Sequence, residues 1–199
     1  EKQIDRPILD GFIRQLNIRA RGKSIKPRDY QVDAVEHAIR NHRALLLSPT
    51  ASGKSLIIYI LVRYYTLLLK EQQNDKILIL VPTTSLVEQM ASDFIDYGWQ
   101  EAHIQKVYSG HDKNVTKDVV ISTWQSLYKM PKQFFEDYGA VIGDEAHLFK
   151  AVSLTKIMTK LTDCKYRIGL TGTLDDSKTH KLVLTGLFGM VNKVVSTAE

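Results

Sequence analysis

A single cysteine, Cys164, stands in 199 residues, so no internal disulfide holds this chain together and its fold needs no oxidising compartment. Apolar stretches are short: Leu56 to Val62 and Ile77 to Val81 are the longest, and Arg63 ends the first. Both fall far below the roughly 18–20 residues that cross a bilayer. No amino-terminal charged-then-apolar segment resembles a signal peptide. These absences exclude a membrane-spanning or disulfide-scaffolded chain and leave a cytosolic setting as the simplest expectation. With 44% hydrophobic and 25% charged residues, a disordered or collagen-like chain is excluded as well. The length suits one domain, or one domain with an appendage. Because the chain opens at Glu1 rather than Met, it is expected to be a piece of something longer.

Charge is mild overall, 27 Lys and Arg against 22 Asp and Glu, but unevenly placed. Residues 1–28 carry eight basic and three acidic side chains, and the other 171 residues are neutral, with 19 of each sign. Five of the basic residues, Arg19, Arg21, Lys23, Lys26 and Arg28, lie close together beside Gly22 and Pro27. No run there has helical or strand periodicity, so residues 1–25 read as an exposed basic lead-in or linker. Two meanings of that charge stay open: solubility, or an electrostatic contribution to phosphate binding.

From Asp29 onward short apolar runs alternate with longer amphipathic stretches, the pattern of βαβ units in a mostly parallel sheet with helices on both faces. Strands are predicted at Ala44–Leu47, Ile77–Val81, Ile104–Val107, Val119–Ser122, Ala140–Asp144 and Arg167–Leu170. Helices are predicted at 29–41, 54–70, 85–97, 153–161 and 178–187. The fold class is therefore α/β.

After the strand Ala44-Leu45-Leu46-Leu47 comes Ser48-Pro49-Thr50-Ala51-Ser52-Gly53-Lys54-Ser55, then the apolar helix start Leu56-Ile57-Ile58. This fits the phosphate-loop pattern except that Ser48 stands where the first glycine is expected. A tight turn there, Pro49 through Ser52, aims the successive N–H groups that follow Pro49, which itself has none, and the positive end of a helix at an anion. Gly53 permits close backbone approach, Lys54 reaches β- and γ-phosphates, and the Ser55 hydroxyl can ligate Mg²⁺. An ordinary strand-to-helix turn would also produce such a stretch. Further on, the strand Ala140-Val141-Ile142 runs through Gly143 into Asp144-Glu145-Ala146-His147. An acidic residue at the carboxyl end of a strand beside the phosphate strand suits Mg²⁺, which makes Asp144 the metal candidate. Glu145 is suited to orient an attacking water. Read blandly, the two acids are a helix-capping pair and His147 a surface histidine.

Asp144-Glu145-Ala146-His147 resembles the Walker B element of superfamily 2 helicases of the DEAH type, and other blocks follow that family's order. Arg28-Asp29-Tyr30-Gln31 resembles its adenine-recognition motif, and a glutamine amide can pair with both N6 and N7 of adenine. Gln31 is then the specificity candidate, with Arg28 or Tyr30 stacking on the base; alternatively Gln31 is a polar position on an amphipathic helix. Pro82-Thr83-Thr84 and Ser122-Thr123 resemble the loops that hold the nucleic-acid backbone in that family, though Ser and Thr are equally at home as helix caps. Trp124 fits a core position better than a base stack. Leu170-Thr171-Gly172-Thr173 resembles the motif coupling ATP hydrolysis to the nucleic-acid cleft, with His147 as the contact of Thr171.

The resemblance covers about residues 26–190, a RecA-like first motor domain, so residues 26–199 are expected to form that domain and residues 1–25 to lead into it or to end a preceding DNA-binding domain. The blocks around Gln31, Lys54 and Thr171, with Leu187-Phe188-Gly189 beyond, are similar to DNA translocases and recombination helicases. That implies ATP and Mg²⁺ as cofactors and single-stranded or branched DNA as partner, remodelled by fork regression and junction branch migration. An RNA helicase, a restriction-type translocase and a nucleotide-regulated nucleic-acid-binding module remain as alternatives. Such motors use a second α/β domain that supplies arginine fingers. After Glu145 this chain has one arginine, Arg167, placed before a strand where it suits a structural role. An arginine finger is worth about 10³–10⁵ in rate, so the isolated chain is expected to hydrolyse ATP very slowly.

Overall fold

The computed structural model describes residues 4–48, 53–108, 114–172 and 178–194. A helix α1 (Arg6–Gln15) and a hairpin of β1 (Arg19–Ala20) and β2 (Lys23–Ser24) precede an alternating series. It runs α2 (Asp29–Asn41), β3 (Arg43–Leu47), α3 (Lys54–Leu68), β4 (Lys76–Val81), α4 (Thr84–Tyr97), β5 (Ile104–Val107) and β6 (Val119–Thr123). Two short helices follow, α5 (Trp124–Leu127) and α6 (Lys132–Phe135), then β7 (Tyr138–Gly143), α7 (Ala151–Lys160), β8 (Tyr166–Thr171), α8 (Lys178–Phe188) and β9 (Val191–Lys193). Strands β3 to β9 form one parallel sheet in the order β5-β6-β4-β7-β8-β3-β9.

A parallel sheet is buried on both faces, which is why its strands read as nearly continuous apolar runs. Successive residues serve opposite layers: Ile77, Ile79 and Val81 pack with α2, α3 and α4, whereas Leu78 and Leu80 join Phe135, Leu154, Leu184 and Phe188 on the other side. Helix α3 is sunk into the first layer, with every residue from Leu56 to Val62 buried. Its Arg63 covers the Tyr59 and Trp99 rings at 5.6 and 5.2 Å. Cys164 is buried and its thiol is pushed up to about 12 by desolvation, so it is chemically quiet. Among the described residues no helix is long and apolar enough to cross a membrane.

The amino-terminal segment departs from the sequence reading. Its described residues are not an exposed, aperiodic lead-in: α1 is capped by Asp5, whose carboxylate accepts from Ile8 N, and it buries Leu9 and Ile13. Phe12 meets Tyr64 edge-on at 5.9 Å, and Arg6 bridges to Asp33 at 2.7 Å and Glu36 at 3.4 Å on α2. Leu9, Phe12, Ile13 and Leu16 recur at helical spacing, so the signal is present in the sequence, short and set among charged residues. Strand β9 and helices α5 and α6, only three or four residues long, carry no readable period in the sequence. If α1 is part of the core, Leu9→Ala should destabilise the folded chain by about 2–5 kcal/mol. Denaturant unfolding checks this, and an unchanged midpoint would return the segment to the status of a detached lead-in.

Candidate active site

Because the strands are parallel and in register, their carboxyl ends line one edge: Leu47 lies beside Thr171, Val81 beside Thr123, and Gly143 beside Gly169. Of the residues singled out in the sequence, Lys54, Asp144, Glu145, His147 and Thr171 come together along this edge. Asp144 does not arrive from the strand next to the phosphate-loop strand, as expected, because β8 is inserted between β7 and β3. The side chains reach across that strand instead.

Lys54 opens α3 and is buried, with its ammonium 3.5 Å from Asp144 Oδ1 and in direct contact with Glu145 Oε1. Burial raises the pKa of Asp144, opposed mainly by the Lys54 charge. Beyond the Lys54 ammonium at 3.5 Å, its Oδ1 has no hydrogen-bond donor among the described residues. Glu145 sits in the left-handed region, φ 54 and ψ 43, which costs a non-glycine residue about 1–2 kcal/mol. That kink ends β7 and turns the carboxylate sideways, so that one oxygen meets Lys54 and the other lies 3.6 Å from His147 Nε2. His147 Nδ1 in turn is 2.6 Å from the hydroxyl of Thr171. A polar chain, Lys54 to Glu145 to His147 to Thr171, therefore links the start of α3 to the end of β8, and the expected contact of His147 with Thr171 is present.

The second anchor is Gln31. Its Nε2 donates to Gly53 O at 3.2 Å and its Oε1 accepts from Arg28 N at 2.8 Å. Gly53 has φ 87, and a β-carbon there would collide with the Gln31 amide, so glycine is required on both counts. Each end of that amide retains one further donor or acceptor site. Tyr30 is buried with its hydroxyl against Gly53, which leaves exposed Arg28 as the residue free to stack on a base.

Other candidates are placed less simply. The Ser55 hydroxyl bonds the Tyr97 hydroxyl at 2.6 Å, so Lys54 and Asp144 are brought together while the Ser55 side chain is turned toward α4. Tyr97 gave no local signal, lying 42 residues away. Thr83 caps α4 by accepting from Leu86 N at 3.2 Å, and it remains exposed with Thr84. Buried Pro82 presents its carbonyl to Gln125 Nε2 at 3.1 Å, which ties the two loops together. Ser122 and Thr123 are buried, and the Thr123 hydroxyl pairs with that of Ser126 at 2.7 Å. Gly172 follows Thr171 with open contact to Ser48 O and Glu145. Arg167 holds the carbonyls of Cys164, Met158 and Leu161, a structural role. Pro49, Thr50, Ala51, Ser52 and Thr173 lie outside the described residues.

The donor set fits a small divalent cation. No cluster of three or more His, Cys, Asp or Glu side chains forms a self-sufficient cage among the described residues. One buried carboxylate with an unsatisfied oxygen suits Mg²⁺, which takes one or two carboxylates, waters and substrate phosphates.

Residues 24–176 match the family model described as type III restriction enzyme, res subunit. The chain is 38% identical to the ATP-dependent DNA helicase uvsW of Enterobacteria phage T4, over 100% of this chain and 40% of that protein. It is 27% identical to the DNA 3'-5' translocase XPB2 of Sulfurisphaera tokodaii, over 92% of this chain and 38% of that protein. The crystal structure of the UvsW helicase from bacteriophage T4 superposes with a TM-score of 0.85 at 38% identity, covering 97% of this chain and 69% of that one. This chain thus spans about 40% of the length of these curated relatives.

The raised pKa of Asp144 makes a pH-dependent prediction. Its ionisation opposes folding, a penalty absent below the ordinary carboxylate pKa of about 4 and growing as pH rises from there toward the raised folded value. Asp144→Asn should therefore gain thermal stability relative to the parent as pH rises above about 4, in metal-free buffer. A gap that stays constant with pH contradicts this reading of the site.

Proposed function

Because this chain belongs to the superfamily 2 helicases and forms their first motor domain, we propose that it is the ATP-binding part of a DNA helicase or translocase that remodels branched DNA in recombination and repair. Members of this family use a nucleotide and a divalent metal. Here ATP and Mg²⁺ are the pair the site suits, the work being done in the cytoplasm with a second motor domain of the same parent chain closing over the nucleotide. The observation that carries this reading is the buried Lys54 ammonium at the start of α3, shared by Asp144 and Glu145.

Lys54 exchanges its carboxylate contacts for phosphate oxygens when nucleotide enters. Asp144, joined by Ser55 once its hydroxyl leaves Tyr97, would hold Mg²⁺, which supplies charge neutralisation on the phosphates. Glu145, released from Lys54, accepts a proton from the attacking water, and its kinked backbone fixes the direction of that carboxylate. Gln31 pairs with adenine through its remaining donor and acceptor while keeping Gly53 in place, and Arg28 stacks on the ring. The contact of His147 with Thr171 passes changes around Glu145 to β8 and on through Gly172 and Thr173. Thr83 and Thr84, exposed at the start of α4, hold a phosphate backbone without reading bases. Pro82, Ser122 and Thr123 keep the two neighbouring loops in shape beside it. A 38% identical DNA helicase and a DNA translocase among the relatives favour DNA over RNA.

Steady-state ATP hydrolysis by the complete protein tests the reading, measured with single-stranded DNA, forked DNA and single-stranded RNA. Forked DNA should stimulate most, Lys54→Ala should weaken nucleotide binding, and Glu145→Gln should bind nucleotide yet hydrolyse it about 10²–10⁴ times more slowly. Stimulation by RNA alone, or hydrolysis indifferent to every polynucleotide, contradicts it.

A further inference from the structure

The charge imbalance of the sequence has a structural location. All of the chain's net positive charge traces to residues 1–28. Arg6 is consumed by Asp10, Asp33 and Glu36. Arg19, Arg21, Lys23 and Lys26 are exposed on and beside the β1–β2 hairpin, and none forms an ion pair among the described residues.

The hairpin is held as a fixed platform. Two residues per strand cannot be stable alone, and here the surroundings supply the support. Ile18 is buried, Ile25 N donates to Ile18 O at 3.0 Å, and Arg21 N donates to the Asp96 carboxylate on α4 at 3.0 and 3.2 Å. The two loop residues, Arg21 and Gly22, have φ 52 and φ 78, the signature of a type I′ turn. Turn chemistry asks for Asn, Asp or Gly at the first of these positions, yet an arginine stands there at a cost of about 1–2 kcal/mol. The turn thereby holds a guanidinium at the tip of an anchored basic hairpin.

We propose that this hairpin binds the phosphate backbone of duplex DNA, as a contact separate from the loops at the carboxyl edge of the sheet. The proposal rests on the reading of the chain as a DNA motor and extends it to an arm of the branched substrate. The pairing of Arg19 with Ser24 and of Ala20 with Lys23 puts Arg19 and Lys23 on opposite faces of the ribbon, with Arg21 at its tip, so the hairpin is a narrow arm that presents a cation on each side and at its end, spaced to meet phosphates on both sides of a groove. No aromatic ring occurs from residue 18 to residue 29, so the hairpin itself carries no stacking side chain of the kind that single-strand sites use. Backbone charge on an intact duplex is the ligand it fits.

The test uses the full protein and a blunt DNA duplex, with Kd measured by fluorescence anisotropy between 50 and 200 mM salt. Each lost phosphate contact removes about 0.9 from the slope of log Kd against log salt. Replacing Arg19, Arg21 and Lys23 by alanine should therefore weaken duplex binding, and over that salt range the wild-type Kd should rise about 40-fold more than the variant's. Arg21→Asn separates binding from folding: it suits the turn, so thermal stability should hold or rise while duplex affinity falls and the slope drops by about 0.9. Unchanged Kd and slope, or a loss seen on duplex RNA alone, overturns the proposal. Normal DNA-stimulated hydrolysis in the same variants would leave the motor reading standing, whereas a wild-type protein that binds no DNA overturns both.

Discussion

One ammonium held between two carboxylates governs the working edge of this domain. Lys54 is nearly sealed from solvent, with its charge shared by Asp144 and Glu145. A buried lysine without partners would lose its proton or unfold its surroundings, and two facing carboxylates without a cation would repel. Each of the three groups therefore depends on the others, although they come from segments ninety residues apart. Together they carry one surplus negative charge, which prepares the place for a divalent cation accompanied by phosphates. The desolvation that disfavours an ionised Asp144 is the same condition that makes a metal ion welcome there.

The parallel sheet makes this meeting possible. Strands that all point the same way deliver Ser48, Asp144 and Gly172 to a common edge, while buried alternating side chains keep the register fixed. The strand inserted between β3 and β7 is no obstacle: it brings Thr171 to the middle of the site, where His147 and Glu145 join it to Lys54. Two of the five described non-glycine residues with positive φ, Glu145 and Arg21, carry charged side chains whose direction that backbone sets. One turns a carboxylate toward the site, and the other holds a guanidinium at the tip of a basic hairpin.

Much of this was legible in the sequence because its signals are local. Gly53-Lys54-Ser55 after a four-residue apolar run, and Asp144 to His147 after another, state strand, turn and chemistry together, and α2 from Asp29 to Asn41 matches its predicted span. What could not be read depends on distant partners or weak periods. The pairing of Ser55 with Tyr97 has no trace in either neighbourhood, and strand order is not encoded by strand sequence. Helix α1 carries four apolar residues at helical spacing, but over fewer than three turns and among charges, and its burial rests on Tyr64, Asp33 and Glu36 farther along the chain.

The most direct measurement is a crystal structure of the complete protein with Mg²⁺ and a non-hydrolysable ATP analogue. The expected result has the Lys54 ammonium moved from Glu145 to the phosphates, Asp144 on the metal ion, and Gln31 still bonded to Gly53 while it meets adenine. Nucleotide bound elsewhere, or bound with Lys54 still paired to Glu145, would contradict the role assigned to this buried triad.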